Sequence, residues 1–239
     1  MKPPPNDFWT KRFRVNAEVS IFHQWAQLEK TGCIDNFRIV AGMKEGFREG
    51  FFFADSDAYK WLEAASYLLA HDPEGKLGSL VDEFITILEN AQELDGYLYT
   101  YNQAHFSGVR WKNLQIEHEL YCIGHLIEAG IAHHQATSDE RLLKVARQAA
   151  NLLVDEFMQA SPAFTDGHEE IEIALIRLSR HTGLSAYREL ARHFLESRGR
   201  VRGFWFLMIR HSLSAAGRMN TVKALRVLYA RAHPGYQPP

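Results

Sequence analysis

Thr137, Leu142, Val145, Ala146 and Arg147 recur 45 residues later as Thr182, Tyr187, Leu190, Ala191 and Arg192, and His118-Glu119 recurs 50 residues later as His168-Glu169. That period is the length of one helical hairpin with its connections. A lone hairpin cannot bury its apolar face, so repeated hairpins must stack on their neighbours, either as an open solenoid or as a closed (α/α) toroid. The repeat therefore predicts an all-α architecture.

Local signals place the hairpins. Ser56 or Asp57 is positioned to cap a helix running to about residue 70, and Pro73 to open the next, through about residue 93. A further pair is expected over about 113–135 and 138–158, with Thr137-Ser138-Asp139-Glu140 reading as a capping box. Another covers about 169–181 and 186–198, with Gly183 and Gly199 as the glycines that end each helix. Phe51-Phe52-Phe53 and Tyr97-Leu98-Tyr99-Thr100-Tyr101 read as loops or short extended pieces between hairpins.

Charge is segregated along the chain. Residues 1–196 carry 19 basic and 29 acidic side chains, whereas residues 197–239 carry 8 basic and none acidic. The total of −2 lacks the basic footprint of a nucleic-acid binder. The longest apolar run, Phe204 to Ile209, falls far short of the roughly 20 residues that span a bilayer, so no membrane helix is expected. Met1 to Asp7 has no apolar signal-peptide region, which predicts a cytoplasmic location. Only Cys33 and Cys122 occur, and reduced thiols are expected.

Histidines are the candidate functional residues. His118, Cys122 and His125 stand at i, i+4 and i+7 and would share one helix face, either as two imidazoles and a thiolate for zinc or as an ordinary packing face. No fourth ligand is in view, so no metal is assigned. His168 lies in Asp166-Gly167-His168-Glu169-Glu170, a turn entering a helix. If His118 and His168 hold equivalent places in successive repeats, they face one cavity, where imidazoles suit sugar hydroxyls. Asp55, Asp57, Asp95, Glu117, Glu119, Glu169, Glu170 and Glu172 include candidates for a glycosidase carboxylate pair, or are solvated faces and caps. Phe51 to Phe53, Tyr97, Tyr99, Tyr101 and Trp111 can stack on a sugar ring or pack in the core. A Gly-rich phosphate loop, a serine-hydrolase elbow and a CxxC pair are all missing.

Longer words carry a resemblance. Phe8-Trp9, Ile34-Asp35-Asn36-Phe37, Phe52-Phe53-Ala54-Asp55-Ser56-Asp57-Ala58-Tyr59-Lys60-Trp61-Leu62-Glu63-Ala64, Asp95-Gly96-Tyr97-Leu98-Tyr99-Thr100, His118-Glu119-Leu120-Tyr121-Cys122-Ile123-Gly124-His125-Leu126-Ile127-Glu128-Ala129 and Gly167-His168-Glu169-Glu170-Ile171-Glu172 resemble the N-terminal half of the catalytic domain of glycoside hydrolase family 127. The resemblance implies an (α/α)6 toroid, here incomplete, with about the first half of its hairpins. It also implies removal of terminal β-L-arabinofuranose with retention, by a cysteine thiolate held on zinc with further cysteines and a glutamate, a second glutamate being the acid/base. Those groups lie in the second half of the family's toroid. This chain has no cysteine after Cys122 and no glutamate after Glu196, so no catalytic residue and no zinc ligand carries over. By resemblance His118 and His168 touch the sugar, and Asp57, Tyr97, His125 and Glu170 are the further pocket candidates.

The resemblance covers about residues 8–199 and then stops. Residues 1–199 are accordingly expected to be the N-terminal part of the catalytic domain and residues 200–239 a divergent basic tail, either a frameshift product or a genuine amphipathic segment around 221–231. The expected function is that of a β-L-arabinofuranosidase-type glycoside hydrolase, truncated and inactive alone, with an arabinofuranoside as partner and self-association through uncovered hairpin faces. The alternative is a non-enzymatic helical-repeat module whose basic tail binds a partner.

Overall fold

The computed structural model describes residues 8–71 and 75–239. Among them all regular structure is helical: α1 (Phe8–Val15), a π-helical turn (Asn16–Ser20), α2 (Ile21–Lys30), α3 (Cys33–Val40), α4 (Asp55–Leu69), α5 (Lys76–Ala91), α6 (Thr100–His105), α7 (Leu114–Glu117), α8 (Glu119–Thr137), α9 (Arg141–Phe157), α10 (Glu170–Thr182), α11 (Ser185–Ser197) and α12 (Phe204–Ala232). No helix among the described residues is long and apolar enough to cross a membrane. Pro73, expected to open the second helix of the first hairpin, lies outside the described residues.

Three hairpins, α4/α5, α8/α9 and α10/α11, build two concentric layers. The inner helices α4, α8 and α10 pack side by side, and the outer helices α5, α9 and α11 do the same behind them. This is the incomplete (α/α)6 arrangement. The layers follow from residue pattern: α8 is apolar around most of its circumference, with Leu120, Ile123, Leu126, Ile127 and Ile131 all buried, as a helix with neighbours on every side must be. Outer helices α9 and α11 instead have one apolar stripe. Leu142, Val145 and Ala146 of α9 and their repeat partners Tyr187, Leu190 and Ala191 of α11 are all buried, so the 45-residue repeat marks the inward stripe of successive outer helices.

Two local expectations are corrected. The helix expected over 113–135 is two helices, because His118 sits at φ +58°, in the left-handed region, between α7 and α8. Nothing in Leu114 to Glu119 is a helix breaker; the bend is imposed from outside, where the Tyr99 hydroxyl donates to the Glu117 carbonyl oxygen. The capping box also fails. Arg141 N–H is accepted by Asp139 Oδ1 at 2.9 Å, and the Glu140 carboxylate turns away to His134 Nε2 at 3.2 Å. Asp139 wins because its short side chain reaches the second following amide without strain.

Residues 204–232 form one long helix rather than a short amphipathic segment near the end. Leu207, His211, Ala215 and Arg218 are buried on the body of the protein. Arg218 pairs with Glu117 at 3.1 Å and Arg226 with Glu49 at 2.6 Å, so the basic segment is docked by acids of the first part of the chain. Its other face leaves Trp205, Phe206, Ile209 and Leu213 more than half exposed.

Candidate functional site

The loops that lead into the inner helices gather at one end of the layers. Residues 51–54 lead into α4, α7 and His118 into α8, and residues 163–169 into α10. Each loop contributes to one cluster. His118 packs its ring against Phe52 and Phe53 at 5.4 and 5.5 Å and against His168 at 4.4 Å. Phe51 and Phe53 stack on each other at 5.4 Å with an interplanar angle of 4°, both solvent-facing, which makes an apolar shelf beside the imidazoles.

His118 Nε2 and His168 Nε2 are 2.7 Å apart. Hydrogen bonding assigns the proton between them: His118 Nδ1 lies 2.5 Å from the Ile116 carbonyl oxygen and must donate there, so in the neutral ring Nε2 is bare. His168 Nε2–H is therefore the donor of the pair. Burial, the neighbouring His168 and Lys60 push the His118 pKa down, in keeping with a neutral ring.

The turn that presents His168 is built by Asp166. Its Oδ1 accepts from His168 N–H and its Oδ2 from Tyr121 N–H, both at 2.9 Å, tying the α10 loop to the first turn of α8. Arg198 clamps the same turn from behind, donating to the carbonyl oxygens of Asp166 at 2.8 Å and His168 at 2.6 Å. Gly167 is required by close approach, since a methyl group there would lie 2.5 Å from the Gln115 carbonyl oxygen. Gly124 likewise admits Glu170, which a methyl would meet at 2.9 Å.

Of the other pocket candidates, His125 and Glu170 come together beside Tyr121. His125 Nδ1 is 3.5 Å from Glu170 Oε1, and among the described residues neither ring nitrogen of His125 makes a hydrogen bond although both are buried. Asp57 is exposed in the first turn of α4. Tyr97 is buried and gives its hydroxyl to Glu119, leaving no free face. Tyr121 and Lys60 were not singled out from sequence, yet Lys60 Nζ donates to Tyr121 Oη at 2.8 Å and Tyr121 lies 5.0 Å from the His168 ring. Asp166 was also overlooked, although Asp two residues before an amide it can cap is a readable turn signal.

Zinc does not fit the residues present. Cys33 and Cys122 are the two cysteines of the chain, both buried, with burial pushing each thiol pKa up and away from the thiolate a zinc ligand needs. His118 has left the helix face it was expected to share with Cys122, and no group of three ligating side chains forms among the described residues.

Two buried acids below the site set a pH dependence. Burial pushes Glu119 and Asp166 up to about 7 each, from ordinary values of 4.5 and 3.8. Their folded values lie above the unfolded ones, so the stability they confer is complete below pH 4 and is lost as pH rises through 7. His105 and His125, pushed down to about 4 by burial, act in the opposite sense as pH rises through their unfolded value of 6.5, as do His118, His133, His181 and His211, which burial also pushes down. Relative to Glu119→Gln/Asp166→Asn, the unfolding free energy of the unaltered protein is expected to fall by roughly 1–2 kcal/mol more between pH 6.5 and 8; urea titrations of both proteins at the two pH values check this, and equal changes would refute it.

Residues 5–223 match the family described as β-L-arabinofuranosidase, GH127 catalytic domain, a match that runs past Gly199 into α12. The non-reducing end β-L-arabinofuranosidase of Bifidobacterium longum subsp. longum is 34% identical over 224 residues, covering 83% of this chain and 34% of that protein. Among solved structures, the GH127 β-L-arabinofuranosidase of Geobacillus stearothermophilus T6 superposes with a TM-score of 0.82 at 36% identity, covering 90% of this chain and 35% of that one. A second GH127 β-arabinofuranosidase gives 0.77 at 33% identity, covering 83% and 33%. The chain thus spans about a third of the length of these relatives. With the matched segment taking in both histidines, their turns and every helix of the two layers, this chain belongs to the GH127 β-L-arabinofuranosidase catalytic-domain family.

Proposed function

We propose that the chain supplies part of the sugar-binding wall of a glycoside hydrolase acting on terminal β-L-arabinofuranosides. The observation that carries this is the 2.7 Å imidazole pair. Its two nitrogens offer one acceptor, on His118, and one donor, on His168, which is the complement of a single sugar hydroxyl. A hydroxyl entering between them replaces their mutual bond by two, while the Phe51/Phe53 shelf receives the C–H face of the ring. The orphaned nitrogens of His125, next to Tyr121, are further partners that such a ligand satisfies.

Hydrolysis is a different matter. Cleaving a glycoside requires an acid and a base or nucleophile at the anomeric centre, and the buried, protonated thiols of this chain supply no such nucleophile. The proposed role is therefore binding and orientation, without turnover by this chain alone. Titration with methyl β-L-arabinofuranoside, followed by calorimetry and by the histidine ring signals, tests it. His118→Ala and His168→Ala are each expected to weaken binding about tenfold, the loss of one or two hydrogen bonds. Affinity in both variants equal to that of the unaltered chain would overturn the binding role, and chelator-sensitive release of arabinose by the unaltered chain would overturn its inactivity.

A further inference from the structure

Away from the imidazole pair, α12 closes a second cavity. It measures about 560 Å³ and lies between the first turns of α12 and the loops at 108–114 and 163–164. Its character is one-sided. Lys112 and Arg210 line it with Asn113 and His211, and none of the described residues that line it is acidic. Arg110 also borders it, but that guanidinium is already committed to Asp95 and Glu93, both at 2.6 Å, so the lining cations without an ion pair among the described residues are Lys112 and Arg210. Trp111 and Phe164 add aromatic surface.

A buried polar atom points to a ligand. His211 is 5% exposed and its Nδ1 has no hydrogen-bond partner among the described residues, an arrangement that costs stability unless something fills the site. The protein could have satisfied it with a carboxylate, as Glu117 does for Arg218 one helical stretch later, and has not.

We infer that this cavity is a binding site for an anionic sugar unit, whose acidic group meets Arg210 and Lys112 and whose ring lies against the aromatic surface with a polar group on His211 Nδ1. The anion follows from the lining alone; the sugar rests on the proposed function, because the loop that supplies Lys112 and Asn113 runs directly through α7 into His118. A carboxylate and a phosphate ester share the required chemistry.

The test is calorimetric and NMR titration of the whole chain at low ionic strength with D-glucuronate, D-glucose 6-phosphate, inorganic phosphate and methyl β-L-arabinofuranoside. Saturable binding of at least one anionic sugar is expected, moving the His211 ring signals, and weakened about tenfold in Lys112→Gln/Arg210→Gln, two exposed positions whose change leaves the fold intact. The preferred anion decides between carboxylate and phosphate ester. His118→Ala is expected to leave this binding unchanged while weakening the arabinofuranoside, so the two readings fail separately. Absence of saturation by either anionic sugar, binding indifferent to the double substitution, or inorganic phosphate matching the sugars would overturn the inference.

Discussion

Replacing Asp55 by Ala is expected to destabilise the protein by about 3–5 kcal/mol, because it strands an arginine in the interior. Arg48 and Asp55 are both wholly buried and pair at 3.3 Å. Asp55 also accepts from Thr100 N–H at 2.7 Å and Thr100 Oγ1 at 2.5 Å, while Arg48 donates to the carbonyl oxygens of Gly50 and Phe51 at 3.0 and 2.7 Å. One buried network therefore fixes the start of α4, the start of α6 and the loop that carries the Phe51/Phe53 shelf. Without the carboxylate, Arg48 keeps its charge and loses its counter-ion in a low-dielectric interior. Removing both members, as in Arg48→Met/Asp55→Leu, is expected to recover much of the loss, since a well-packed apolar pair carries no desolvation penalty. Urea unfolding of the three proteins checks this. A cost below about 1 kcal/mol for the single change would mean that water reaches Arg48 and that the network does not hold the shelf.

A second large effect is expected at Arg218. Its side chain is buried, pairs with the equally buried Glu117 at 3.1 Å, donates to Asn102 Oδ1 and lies 3.9 Å over the Phe106 ring. Arg218→Met leaves Glu117 alone in the interior, where burial already raises its pKa. The carboxyl can escape by taking a proton, so the loss is expected to be small near pH 5 and to grow to about 3 kcal/mol by pH 8. Glu117→Gln/Arg218→Met removes both charges, and its stability is expected to change little over that range beyond the slope of the unaltered protein. Because α7 ends at Glu117 and His118 follows at a strained φ, the single variant should also weaken arabinofuranoside binding and the double variant restore part of it. A pH-independent loss in Arg218→Met would show that packing on Phe106, not the ion pair, docks α12.

The concentric helical layers were legible in the residues, and so was the pairing of His118 with His168, through the 50-residue spacing of His118-Glu119 and His168-Glu169. The site's finer geometry was not. Lys60 gave no sign of its bond to Tyr121, which lies 61 residues away in sequence. The left-handed His118 was equally hidden, since Leu114 to Glu119 contains neither Gly nor Pro and a helical pattern runs straight through it. Tyr97 looked like a sugar platform beside its neighbours and is instead half of a buried hydrogen bond with Glu119.

By itself the sequence determined the number and order of helices in the layers, their inward stripes and the segregation of charge, because helical periodicity and composition are local properties written into neighbouring residues. Only the tertiary structure decided where α7 gives way to α8, which nitrogen of the histidine pair holds the proton, and that the basic segment docks on Glu117 and Glu49. Those outcomes depend on charges and carbonyls brought together from distant parts of the chain, where burial lends a single contact the strength to override local preference.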